Sequence, residues 1–397
     1  MHTDHDEQPG IARFMVYWML FSLASVFISN AFKFAVYDLS GSERLVSLVG
    51  SAAGVAFITL GLVAGIVVSA TSNRFFVLLH PAFFALLSLL LYWLLQWGWL
   101  GVAMLFACIL LHGVTLSLHT AAANRVFYDL CGTRRLPWWL SWRNIAVSIG
   151  SVSALVLLGF WVEKSAAFFV VYALLLLTAM AIFLSIPYRD SNRRTPFSLR
   201  HVAEEFAAFA AFAARDKTVR MLFILSFMKT FFIYWAMSSG VLLKLGIDSA
   251  DTRRLYLWVL VLMDGVSIAA LAVVGRKKRF SNRDFLVGAM VSGAGILLFA
   301  LLENVWLAVA ALSLMHIGFA ICQMASGYVL RLALLERFRT QGISFAVIPY
   351  YLADIVSGVF FAALLGLLSV QALLVFSGGG LLVVAALLWP WVSGDGK

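Results

Sequence analysis

Apolar residues in this chain fall into twelve long runs, at about 14–37, 46–69, 75–96, 98–123, 143–162, 166–187, 220–243, 255–274, 285–303, 305–330, 343–368 and 370–391. A run of about 20 residues coiled at about 1.5 Å per residue spans a hydrocarbon core of about 30 Å. The runs are unbroken and do not alternate with period two, which excludes a membrane barrel. The pattern therefore predicts an all-α membrane protein with twelve transmembrane helices. An even number of spans leaves both ends on one side. One interhelical segment is long, and it divides the spans six and six. The predicted organisation is an N-terminal bundle over 1–187, a linker over 188–219 and a C-terminal bundle over 220–397. Within the linker, the stretch SLRHVAEEFAAFAAFAARDK puts Val202, Phe206, Phe209 and Phe212 on one helical face, as in a helix lying at a membrane interface.

Composition and charge sharpen this picture. Charged residues make up 12% of the chain and mean hydropathy is +0.96, too few polar groups to clothe a soluble domain. Of the 29 Lys and Arg residues, 22 map to the side of the termini. Five map opposite (Arg44, Lys164, Lys244, Arg253 and Arg254), while Lys33 and Lys229 lie within spans. The positive-inside bias then places both termini in the cytoplasm. It also accounts for the net charge of +10 without nucleic acid as a partner. The tail MHTDHDEQPG has no basic segment ahead of the first run, unlike a cleavable signal, and its His2, Asp4, His5 and Asp6 have no fixed geometry for a metal. Cys108 and Cys322 sit inside apolar runs and Cys131 in a basic loop, so no disulfide framework is expected.

A weak internal repeat relates the halves. KFAVYDLSGSERL at 33–45 is similar to KLGIDSADTRRL at 244–255, and LLHGVTLSLHTAA at 110–122 to LMHIGFAICQMAS at 314–326, at nearly the same offset. Two pseudo-symmetric six-helix bundles are the pattern of a rocking transporter. With its twelve spans, its central loop and the segment GLVAGIVVSATSNRFFVLL at 61–79, the chain resembles the major facilitator superfamily over its whole length. Gly61, Gly65 and Arg74 match the family's loop motif, while Ser69 stands in place of its Asp, and Ser72 and Asn73 replace a Gly and a basic residue. The loop VGRKKRFSNRDFLVGA at 274–289 is a closer basic match, also without the Asp. Ile109, four residues before Gly113, stands where drug antiporters carry an Arg, so their exchange arginine is not implied here. The segment 123–159 looks like the fourth-to-fifth-span connection of short bacterial exporters of siderophores and macrolides. The resemblance implies a monomeric transporter of the bacterial inner membrane, working by antiport or efflux without a cofactor.

Candidate chemistry follows from polar groups at membrane depth, where an ionisable side chain is a functional hypothesis by default. His112, Lys229, Asp264, His316 and Asp354 lie near mid-span, and Asn30 and Lys33 toward one end of the first span. Ser22, Ser25, Ser29 and Lys33 share one face of the first helix, as do His112, Thr115 and His119 on the fourth and Tyr350, Asp354 and Ser357 on the eleventh. Asp354, then Asp264, are the candidates to carry a coupled proton, with His112 and His316 behind them. The competing reading is an ion pair between Lys229 and one of the two carboxylates. Lys33, Lys229, Asn30, Ser29, His119, Tyr234, Trp235, Gln323 and Tyr350 are the candidates to contact substrate. His112 and His119, seven residues apart, stand about 10.5 Å apart along the axis, too far to grip one metal as a helical pair does. No metal site and no cofactor are expected. The small-xxx-small pairs Gly50/Gly54 and Gly61/Gly65 on the second span and Gly358 and Gly366 near the eleventh mark sites of close helix approach.

No loop carries an ATP-binding motif, which points to transport driven by an ion gradient. No clustered nucleophile or HExxH motif occurs, so the chain is not expected to be an enzyme. The expected function is proton-driven export of a small amphiphilic or anionic molecule, siderophore- or drug-like, with the lipid bilayer, the substrate and protons as partners. The alternatives are an importer or flippase of a nutrient, peptide or lysolipid, and a non-transporting sensor. Topology is directly testable: single cysteines at Ser42 and Asp251 should react with an impermeant thiol reagent from outside, whereas one at Arg194 should not. Outside labelling at 194 would overturn the topology.

Overall fold

The computed structural model describes residues 10–131, 136–161, 165–189, 199–274, 277, 279–333 and 348–393. Among them the chain is helical between turns: α1 (Ile11–Ser40), α2 (Glu43–Ala70), α3 (Asn73–Gln96), α4 (Val102–Cys131), α5 (Leu136–Trp161), α6 (Ser165–Leu184), α7 (Leu199–Arg215) and α8 (Lys217–Trp235) come first. A π turn over Ala236–Gly240 joins α8 to α9 (Val241–Leu245); α10 (Ala250–Val274), α11 (Asn282–Leu301), α12 (Val305–Ala333), α13 (Ile348–Leu364) and α14 (Val370–Ser393) follow. Nine helices among the described residues are long and apolar enough to cross a membrane. With α2, α5 and α13 they make up the twelve of an all-α multi-pass membrane protein.

Several helices overrun their apolar runs by a few residues, because polar caps complete them beyond the hydrocarbon, whereas α6 and α13 end short of theirs, at Leu184 and Leu364. Ser72 accepts a hydrogen bond from the Phe75 N–H at the start of α3, and Asp216 accepts one from Val219 at the start of α8. The fourth run begins later than expected, at Val102, because Gly98 with φ +69° turns the chain back after α3. Residues 334–347, expected in part to begin the eleventh span, lie outside the described set, as do Arg193, Arg194, Lys164 and the first nine residues.

The chain forms two compact units. Unit 1 takes in Met1–Gly41 and Val55–Leu199; unit 2 takes in Ser42–Gly54 and Arg200–Lys397. In unit 1, α1 packs against α4, α5 and α6, and α3 against α4 and α6. One end of it is tied by polar bonds. Fully buried Asn73 donates to the Tyr188 hydroxyl (3.0 Å), which donates to Asp129 (2.7 Å), joining the ends of α3, α4 and α6. Arg143 of α5 donates to Asn124 of α4 (3.0 Å) and lies over the rings of Phe127 (5.1 Å) and Trp18 (5.4 Å).

Unit 2 is built on α11, which packs against α12 and α14, with α8 against α13 and α10 against α12. The first turns of α2 join this unit through close approach. A side chain at Gly54 would meet Ile355 at 3.2 Å and Asp354 at 3.3 Å, and Gly358 leaves no room for a Cβ beside Ser51. Lys244 donates to the carbonyls of Phe299, Ala300 (3.1 Å) and Leu302 (3.1 Å), a cation closing the C-terminal end of α11. In α7, Phe209 is buried with its ring 6.0 Å from that of Phe223 on α8, while Phe206 remains exposed.

The start of α11 gives a test of how these ends are held. Asp284 accepts from the Ser281 N–H (2.9 Å), the Ser281 hydroxyl (3.1 Å) and the Lys277 ammonium. Burial alone would raise its pKa, but these donors outweigh it and hold the carboxyl below its usual range. Its contribution to stability is complete above the unfolded carboxylate value of about 4 and disappears as pH falls through the lower folded value. Asp284→Asn should lower stability by about 0.5 to 2 kcal/mol at neutral pH, the range for a lost helix cap. The difference in Tm between variant and parent should close in acid.

Candidate functional site

The candidate residues divide between the units. On α1, Ser29 is exposed, whereas Asn30 and Lys33 are buried, with Asn30 donating to the Val26 carbonyl (3.0 Å). Ser22 of the same stripe donates to the Val147 carbonyl of α5 (3.1 Å). On α4, His112 and His119 are buried in the interior of unit 1, and Tyr17 of α1 is hydrogen-bonded to His119 Nε2.

A third histidine joins them. His80 of α3 is only 1% exposed, and its ring centre stands 5.1 Å from that of His112 and 5.6 Å from that of His119. Sequence reasoning misses it, because it falls beside Pro81 near the start of the third run, in a span with no charged group at mid-depth. Its signal is proximity within the fold, which a linear pattern does not carry.

Unit 2 holds the densest arrangement. Asp354 of α13, 5% exposed, lies against Gly50 and Gly54 of α2, and its charge bears on Tyr234 of α8 and on Tyr350 and Tyr351 one turn back on α13. The Tyr234 and Tyr350 hydroxyls share a hydrogen bond, with their rings 5.5 Å apart and nearly perpendicular. The absence of a side chain at Gly54 is what leaves room for the carboxylate. Ser357 donates back to the Asp354 carbonyl (3.0 Å), and the Ser51 hydroxyl lies 3.4 Å from it. A carboxyl ringed by three phenols and backed by bare helix can hold or release a proton through hydroxyl partners.

Other expected members stand apart from this group. Trp235 is buried, donates to Ser47 (2.7 Å) and stacks on Phe361 at 4.2 Å. Immediately after it the helix takes its π turn, in which the Val241 N–H bonds to Ala236 O, five residues back. Such turns recur at functional sites. Lys229 forms no ion pair with Asp264 or Asp354. Its ammonium lies 4.7 Å from the ring centre of Phe319 and 6.0 Å from that of Phe285, beside Cys322. Aromatic faces thus replace the expected carboxylate partner. Asp264 is half-buried on α10, His316 of α12 shares a hydrogen bond with Ser267 (2.9 Å), and Gln323 is exposed. Among the described residues, no group of His, Cys, Asp or Glu is arranged to hold a metal ion.

No family model and no curated protein matches the chain. Solved structures do. A POT family transporter in complex with 5-aminolevulinic acid superposes with a TM-score of 0.76 at 13% identity, over 98% of this chain and 97% of that one. The nucleoside transporter NupG gives 0.75 at 13% identity, over 96% and 99%. The xylose transporter XylE from E. coli, in its inward-open conformation, gives 0.73 at 12% identity, over 96% and 94%. The chain therefore shares the all-α fold of these solved structures over nearly its whole length.

Proposed function

We propose that this protein is a secondary active transporter of the bacterial inner membrane that exports a small organic molecule in exchange for protons. Its two halves, 1–187 and 220–397, rock by alternating access about the linker 188–219, and it acts as a monomer with both termini in the cytoplasm. The observation that carries the reading is the buried Asp354 with its three tyrosines and glycine-lined approach, in a fold shared with transporters. A carboxylate at this depth is costly to leave charged, so it binds a proton when exposed to the acidic side and surrenders it when exposed to the other. The 22 to 5 basic asymmetry supports the orientation. The likeness to short bacterial siderophore and macrolide exporters supports efflux, and the aromatic pair Tyr234 and Tyr350, together with the buried cation Lys229 elsewhere on α8, supports an amphiphilic, partly anionic substrate.

Import is the second reading, favoured by the kinds of protein matched in structure, which are peptide, nucleoside and xylose transporters. The direction of substrate movement in inverted vesicles separates the two.

Asp354→Asn should abolish gradient-driven accumulation while leaving substrate exchange intact, because the neutral side chain mimics the protonated state and no longer titrates. Loss of both activities together would make Asp354 structural; retention of accumulation would return the role to Asp264. Lys229→Ala should raise KM for an anionic substrate by about ten- to a hundredfold, the equivalent of one hydrogen bond to a charged group. Unchanged transport and preference at normal expression would remove Lys229 from the substrate path.

A further inference from the structure

We propose that unit 1 holds a proton-binding site of its own, in which His80, His112 and His119 together take up a single proton. All three rings are buried, at 1%, 6% and 2% exposure. A ring nitrogen lies about 1.2 Å from its ring centre, so an N–H···N bond of about 2.9 Å sets two centres about 5 Å apart. The separations from His80, 5.1 Å to His112 and 5.6 Å to His119, bring the rings close to that spacing, with no nitrogen of one bonded to a nitrogen of another. His80 is the bridging member.

The hydrogen-bond partners are consistent with one set of tautomers. Thr115 donates its hydroxyl proton to the Leu111 carbonyl (3.1 Å), so its oxygen accepts from His80 Nδ1 (2.8 Å). His80 Nε2 is then a bare acceptor, and it has no partner. In that set Tyr17 donates its phenol proton to His119 Nε2 and the His119 hydrogen sits on Nδ1, which has no partner. His112 Nδ1 is likewise without a partner. Three buried ring nitrogens are thus left unmatched in one place, which is unusual in a folded interior. One added proton on His80 Nε2 donates to His112 Nδ1 and satisfies both, while His119 keeps its bond to Tyr17.

A second proton is refused, because two imidazolium rings about 5 Å apart without a counterion repel strongly. Among the described residues, the elements packed around the rings supply no such counterion. α1 presents the Tyr17 hydroxyl and, beyond Phe32, Lys33; α6 presents the Tyr172 hydroxyl, itself without a partner, with its ring 6.3 Å from that of His112. The Val55–Ala70 part of α2 has no titratable residue, and the single cation of α5, Arg143, is turned to Trp18 and Phe127. α4 adds Cys108 one turn from His112, and its Asp129 is bound to Tyr188. No carboxylate among the described residues bears on the three rings.

The consequence rests on the transport reading: beside Asp354, each molecule carries a second proton, held in the other unit. The binding itself does not rest on it, and the test needs no substrate. The full-length protein in lipid nanodiscs, labelled with 15N-histidine, is titrated by NMR between pH 8 and 4.5, its seven histidines assigned by single His→Gln variants. We expect His80, His112 and His119 to gain one proton in total, and His80→Gln to move the His112 midpoint by at least about 1 pH unit while His316 stays unmoved. Tyr17→Phe, which keeps every imidazole, should move the His119 midpoint. Three independent titrations, or no protonation over the range, would overturn the proposal, as would unmoved midpoints in both variants. A correct titration with no proton-coupled transport would leave this site standing and reject the transporter reading instead.

Discussion

A polar group inside hydrocarbon has no water to turn to, and this constraint governs most of what distinguishes the chain from a generic bundle of apolar helices. Polar side chains at depth and at the helix ends are turned into protein and given specific partners. Lys244 closes the carbonyls at the end of α11, Arg143 lies between two aromatic rings, and Asn73, Tyr188 and Asp129 form one chain of hydrogen bonds. These bonds hold helix ends in register, and so place the interior faces on which the functional side chains stand.

Two groups of interior polar side chains differ from these tied helix ends, one in each unit. Around Asp354, bulk has been removed from α2 so that a carboxylate and three phenols share a small volume. Around His80, three ring nitrogens are left unmatched in one place. Structural polar groups gain from fixed bonds, whereas groups that exchange a proton need partners whose hydrogen bonds rearrange. On that basis we place the proposed proton chemistry in the two clusters and not at the tied helix ends.

The helices are legible in the sequence because a membrane span imposes length and hydropathy on every residue of a run. Their ends are less so: Gly98 delays α4, and polar caps extend other helices beyond the apolar boundary. In the site, the pairing of Tyr350 with Asp354 follows from a four-residue spacing on one helix. The contribution of Tyr234 depends on how α8 meets α13, and that of Gly54 on how α2 does, relations that no local pattern encodes. For the same reason a linear pattern pairs Lys229 with carboxylates when its neighbours are aromatic, and gives His80 no prominence. The π turn after Trp235 has no sequence signature beyond its small residues.

The central claim is that substrate movement and proton movement are obligatorily linked in this fold. It is tested most directly with purified protein in proteoliposomes enclosing a pH-sensitive dye, challenged with a panel of amphiphilic and anionic small molecules under an imposed substrate gradient and no initial pH gradient. The account predicts that a transported compound drives protons in the direction opposite to its own flow, in fixed ratio to substrate moved. Substrate flux that leaves the internal pH unchanged, with the membrane potential clamped, would contradict it.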